Sequence, residues 1–159
     1  MKLFLAPHND DETLFGAYTI LRHQPWVIVV LRSFVEASWI DGPNYHTREK
    51  ETRLALQTLG NNGGAYEQWS YRDSNPPWND IFDELLAYED DGEIEHVWAP
   101  AVQVGGHYHH NALGEIASVV FPTDRVTYYL TYTHAGGKST DGELVDGTWV
   151  GQAEEEGSR

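Results

Sequence analysis

Apolar and polar positions follow two rhythms along this chain. Five apolar runs rich in β-branched and aromatic residues, 3–6, 26–31, 66–71, 96–102 and 125–133, predict strands. Four stretches between them place apolar residues at helical spacing. The first covers 11–21, with Leu14, Ala17, Tyr18 and Leu21 on one face. A second, 47–59, carries Leu54, Ala55 and Leu59 and stops at Gly60, before Asn61, Asn62, Gly63 and Gly64, which is a helix-end signal. The third starts near Trp78, after the break at Pro76 and Pro77, and aligns Ile81, Phe82, Leu85 and Leu86. In the fourth, 110–120, Leu113, Ile116, Ala117 and Val120 share a face, and Pro122 closes it.

Strands alternating with single helices predict a three-layer α/β sandwich with a mostly parallel sheet of about five strands. Ligands of such sheets gather beyond the carboxyl ends of the strands. A single domain is expected over 1–151, with 152–159, which holds Glu154, Glu155 and Glu156, as a frayed acidic tail.

Composition narrows the chemistry. The chain has 159 residues, 25 acidic against 10 basic, for a formal charge of −15. That charge opposes a phosphate backbone or an anionic membrane face, so neither nucleic acid nor membrane is an expected partner. There are no cysteines, which removes disulfides, thiolate metal sites and thiol nucleophiles. No basic segment precedes a long apolar stretch, and no apolar run approaches the roughly 20 residues of a membrane span, so a cytoplasmic protein is expected.

Two clusters carry candidate chemistry. His8, Asp10, Asp11 and Glu12 follow the first strand directly, and His107, His109 and His110 follow the fourth. Zinc hydrolases need three protein ligands of the His and carboxylate kind, an open position for water, and a further carboxylate as base. The first cluster offers two ligands and the base, and the second is the place to seek the third ligand. The acidic residues alone would also suit a helix N-terminus, and the histidines a metal-chelating surface. A nucleotide-binding loop is disfavoured, because Asn9-Asp10-Asp11-Glu12 stands where the glycine-rich turn should be. Gly136 to Thr140 lacks the earlier glycine of a phosphate loop, since that position is Tyr132.

Ala6-Pro7-His8-Asn9-Asp10-Asp11-Glu12 resembles the Ala-His-Pro-Asp-Asp-Glu signature of the PIG-L/LmbE-like N-acetylglucosaminyl deacetylases. His107-Tyr108-His109-His110-Asn111-Ala112-Leu113-Gly114 echoes that family's His-Pro-Asp-His signature. Between them, Arg48, Glu51, Ala55, Leu59 and Gly60 fit its Arg-x-x-Glu-x-x-x-Ala-x-x-x-Leu-Gly helix, and Tyr71-Arg72-Asp73 sits where it places an aspartate near substrate. The resemblance, covering about residues 2–120, implies a Rossmann-like fold and zinc-dependent removal of acetyl from an N-acetylated amino sugar or its conjugate. It implies His8, Asp11 and His110 as zinc ligands, though other divalent transition metals suit nitrogen and oxygen donors too. Asp10 would be the catalytic base, and His107 would stabilise the oxyanion or protonate the leaving amine.

Arg48 and Asp73 would face substrate, as would Trp39 and Tyr108; Tyr45 and Trp78 are further aromatic candidates for stacking on a sugar. A plain surface pair of Arg48 with Glu51 remains an alternative, as does loop packing for the aromatics. Two positions depart from the family pattern: Asn9 stands for Pro, and His109 for the Asp that would orient the acid histidine. His107 would then be held by another acid such as Glu115 or Asp73. A register with His109 as ligand stays open, as does a non-catalytic metal- or sugar-binding module. The chain also lacks the longer C-terminal portion of many family members, which leaves a homo-oligomer as one way to supply it.

Overall fold

In the computed structural model the described residues are 1–33, 45–61, 65–131, 143–145 and 148–151; for 45, 46 and the last two segments this covers the backbone alone. Trp39, His134, the 136–140 stretch and the 152–159 tail lie outside them, as do the side chains of Tyr45 and His46. The elements run β1 (Lys2–Ala6), α1 (Asp11–His23), β2 (Trp26–Arg32), α2 (Tyr45–Thr58), β3 (Tyr66–Arg72), α3 (Trp78–Asp90), β4 (His96–Pro100), α4 (Tyr108–Val120), β5 (Val126–Tyr129), β6 (Glu143–Val145) and β7 (Thr148–Gly151). The sheet order is β3-β2-β1-β4-β5-β7-β6. The first five of these strands are parallel, and β7 and β6 add an antiparallel edge. Only that edge pair was not foreseen.

Alternate side chains of each strand feed two cores, which makes the three layers. Leu3 and Leu5 pack with Ile81 and Leu85 of α3 and Leu113, Ala117 and Val120 of α4. Phe4 and Ala6 pack on the opposite face with Phe15 and Ile20 of α1 and Leu56 of α2. The order reverses between β1 and β4, opening a crevice at their carboxyl ends. Both candidate clusters leave the sheet there.

Close approach fixes the two helices that bear the site. A Cβ on Gly16 would lie 2.2 Å from the Phe4 ring, and one on Gly114 would lie 2.2 Å from the Pro100 carbonyl oxygen. Glycine therefore lets α1 rest on β1 and α4 on β4.

The faces expected for α3 and α4 pack on the core, with Ile81, Leu85, Leu113, Ala117 and Val120 buried and Phe82, Leu86 and Ile116 partly so, and those for α1 and α2 need correction. Leu14, Tyr18 and Leu21 are 62%, 62% and 54% exposed, whereas Phe15, Gly16, Thr19 and Ile20 face the sheet. In α2, Leu54 is exposed, and Thr52 and Leu56 are buried instead. The helix stop at Gly60 is present, with Gly60 N–H donating to Gln57 O at 3.0 Å and Asn61 N–H to Leu56 O at 2.8 Å. Among the described residues no helix is long and apolar enough to cross a membrane.

Candidate metal centre

The chain leaves β1 through Pro7 and His8 and enters α1 at Asp11. Asp10 takes the N-cap position with φ 83°, a left-handed conformation that costs a non-glycine residue energy and clusters at functional sites. Its carbonyl accepts the N–H groups of Thr13 and Leu14 at 3.1 and 2.8 Å, but its carboxylate makes no capping bond and is exposed. Helix capping thus does not account for the Asp10 side chain. Asp11 turns inward instead, its Oδ2 accepting the His8 backbone N–H at 2.9 Å.

That oxygen is a point of convergence. His8 Nδ1 lies 3.1 Å from Asp11 Oδ2, and His110 Nε2 lies 3.3 Å from it. One ligand atom from each of the three lies within 4.8 Å of the others, so the group could hold a metal ion. Burial opposes the charge on the Asp11 carboxyl, but hydrogen bonds from His110 and His8 and their positive potential overcome it and hold the group well below the usual carboxylate range. The donor set, two imidazoles and one ionised carboxylate, suits a divalent transition metal. The residues fit.

Neighbours fix the ligands. His110 Nδ1 lies 3.2 Å from Thr131 Oγ1, and Thr131 in turn donates to Gln103 Oε1 through N–H at 3.0 Å and through Oγ1 at 3.3 Å. A proton on Nδ1 directed at Thr131 leaves the Nε2 lone pair for the ion. On the other side of His8, Nε2 lies 2.7 Å from His109 Nδ1. His109 is buried, and desolvation, together with the charges of His8, His107 and His110, pushes its pKa down to about 4. It is neutral at pH 7. His107 caps α4, its Nδ1 accepting the His109 N–H at 3.1 Å.

Asn9, in the position of the family's proline, supplies its own restraint. Its buried Nδ2 donates to Thr52 Oγ1 at 2.9 Å and to Gln68 Oε1 at 3.0 Å, tying the exit of β1 to α2 and β3. Arg32 at the end of β2 pairs with Glu49 at 2.7 Å. Arg48, one turn before Thr52 on the same helical face, therefore stands over the carboxyl edge of the sheet. Its Nε is buried with no hydrogen-bond partner among the described residues. Asp73 follows β3 at that edge, its N–H donating to Arg32 O at 3.3 Å.

Tyr108 is 59% exposed and stacks on His107 with centroids 5.4 Å apart. Trp78 brings its ring within 5.9 Å of His109 and also lines an open cleft of about 530 Å³ with Asn75, Pro76, Pro77, Asn79 and Asp80. His96, by contrast, bonds Thr127 at 2.8 Å away from the cluster.

Glu12 belongs to the first cluster, but its burial is not evident from the sequence. Its side chain is fully buried, and Oε2 has no hydrogen-bond partner among the described residues. Desolvation, with the charges of Asp11 and Asp10, raises its pKa to about 7 against the bonds from its own backbone N–H and from Thr52. Gln103 and Thr131 were missed, since neither lies in a motif.

No known family profile matches the chain, and no curated protein does. Among solved structures it is similar to the conserved protein TT1542 from Thermus thermophilus, at 20% identity and a TM-score of 0.58, over 80% of this chain and 64% of that one. It is also similar to GalB, the 4-carboxy-2-hydroxymuconate hydratase from Pseudomonas putida KT2440, at 18% identity and a TM-score of 0.63, over 82% of this chain and 66% of that one. The chain thus spans a little under two thirds of the length of each, and the likeness is one of fold.

Proposed function

We propose that the protein is a metal-dependent hydrolase of the PIG-L/LmbE-like kind, which removes acetyl from an N-acetylated amino sugar or a conjugate carrying one. The observation that carries the reading is the convergence of His8, Asp11 and His110 on one point, with Asp10 next to Asp11 in the chain and its carboxylate making no capping bond. A zinc ion held by those three supplies Lewis acidity to an attacking water and to the acetyl carbonyl.

The remaining steps belong to the side chains. Asp10 accepts a proton as the water oxygen bonds to the carbonyl carbon. His107 donates a hydrogen bond to the developing oxyanion from Nε2, because its Nδ1 is engaged as acceptor of the His109 N–H. That engagement disfavours a second proton on the ring, so the proton for the departing nitrogen comes from Asp10. The carbon–nitrogen bond breaks, and acetate and a free amine result. Arg48, Asp73, Trp39 and Tyr108 are the residues proposed to hold the sugar, and the cleft beside Trp78 gives room for the rest of a conjugate.

A second reading is a binding module on the same fold that holds a metal or a sugar without turnover. It draws on His109, a neutral imidazole where a carboxylate would make the histidine pair more basic. Acetate release from a panel of N-acetylated amino sugars, measured with and without chelator, separates the two. Chelator-sensitive release supports the hydrolase; a zinc-loaded protein that binds the sugars without release supports the module. Hydration of 4-carboxy-2-hydroxymuconate with no acetate release would replace both with the reaction for which the hydratase neighbour is named.

A further inference from the structure

His8 presents a different ring nitrogen to each of two groups. Nδ1 faces Asp11 Oδ2 at 3.1 Å, and Nε2 faces His109 Nδ1 at 2.7 Å. The trio His8, His107 and His109 meets the same geometric condition as His8, Asp11 and His110, with one ligand atom from each within 4.8 Å of the others. The two trios differ in kind. One contains an ionised carboxylate, and the other is made of imidazole alone.

Several observations single out the all-imidazole trio. The His8, His107 and His109 rings lie 4.7 to 5.2 Å apart by their centroids. His109 Nε2 is a buried ring nitrogen with no hydrogen-bond partner among the described residues, an arrangement that leaves a polar atom unsatisfied. His107 Nδ1 accepts the His109 N–H, so His107 can ligate only by giving up that bond, and the Tyr108 ring lies 4.1 Å from the ring of His109. A neutral imidazole has one lone pair, so His8 serves only one trio at a time.

We propose that His8, His107 and His109 form a second site for a divalent transition-metal ion, occupied in alternation with the His8, Asp11 and His110 site. Three imidazoles suit zinc, and equally copper or nickel. Without a carboxylate the second site attracts a cation less strongly, so zinc fills it when the first is disabled. An ion there engages His107 and takes the His8 lone pair on Nε2, leaving Nδ1–H to face Asp11, so the two positions support different chemistry. The proposal goes beyond the hydrolase reading and depends on a histidine at position 109.

The test is zinc binding by equilibrium dialysis of the whole chain, with far-UV circular dichroism to check folding. Compared are wild type, His107→Ala, His110→Ala, the nearly isosteric Asp11→Asn, and each of the last two combined with His107→Ala. Wild type should bind about one equivalent, and His110→Ala and Asp11→Asn should still bind about one equivalent more weakly. Adding His107→Ala should lower their affinity on the order of tenfold or more while leaving the wild-type affinity nearly unchanged. X-ray absorption of zinc-loaded His110→Ala should show three imidazoles. The proposal is overturned if a folded Asp11→Asn or His110→Ala protein binds no zinc, or if His107→Ala changes nothing in them. A wild type that binds no zinc overturns the hydrolase reading as well, whereas loss confined to the variants overturns the second site alone.

Discussion

His8 Nε2 and His109 Nδ1 lie 2.7 Å apart, which makes the imidazole at position 109 the outer partner of a ligand histidine. With an ion on Nδ1, His8 keeps its proton on Nε2 and donates it to His109, which burial holds neutral with a pKa of about 4. Removing that acceptor frees the ring to rotate. His109→Ala should weaken zinc binding about 10- to 100-fold, read by competition with a chromogenic chelator. An unchanged affinity would show that His109 does not orient His8.

Thr131 plays the same part for His110, across 3.2 Å. Thr131→Val keeps the shape and removes the acceptor, so zinc affinity should again fall about 10- to 100-fold. Gln103 Oε1 keeps the Thr131 N–H and loses only the hydroxyl in the same change, which should cost about 0.5 to 1.5 kcal/mol in urea unfolding.

Glu12 sets a pH dependence with a definite sign. Its carboxyl is ordinarily half-ionised at 4.5 and in the fold only near 7. Below 4.5 both states are protonated and there is no effect. Between 4.5 and 7 the folded metal-free chain keeps a proton that the unfolded chain has released, so stability falls as pH rises. Across that window the loss should total about 3 kcal/mol, and Glu12→Gln should abolish it. Urea unfolding of both proteins at pH 5 and pH 8 checks this, and parallel pH profiles would refute it.

Gly114 holds α4 against β4, with no room for a methyl group beside the Pro100 carbonyl. Gly114→Ala should destabilise the fold by about 1 to 3 kcal/mol and lower zinc affinity, because it displaces the helix that carries His107 to His110. Thermal unfolding and zinc titration together read both effects.

Much of this arrangement was legible in the sequence, and the failures share a physical cause. His8, Asp11 and His110 sit where strand ends and helix starts must bring them, so motif and topology agreed. The rotation of α1 was misread because both of its sides carry apolar residues, while the buried side contains Gly16 and Thr19, which hydropathy does not mark. Contact of Gly16 with Phe4 decides the matter, and that is a tertiary fact. In α2 the buried Thr52 is satisfied by Asn9, a partner distant in the chain. No local pattern reveals such a bond. The antiparallel edge pair did leave a signal, since Asp-Gly at 146–147, between Leu144-Val145 and Trp149-Val150, is a sequence that favours a hairpin. Glu12 stands in the candidate cluster and would also suit a helix start, and neither reading reveals that its side chain is fully buried.

The most direct measurement is acetate release by the zinc-loaded protein and its Asp10→Asn variant from N-acetylated amino sugars, with bound zinc determined in both. Wild type should release acetate and lose that activity to chelator, while Asp10→Asn keeps its zinc and loses turnover by at least about 100-fold. Full activity in Asp10→Asn, or in a wild type stripped of metal, would contradict hydrolysis by a water activated between the ion and the Asp10 carboxylate.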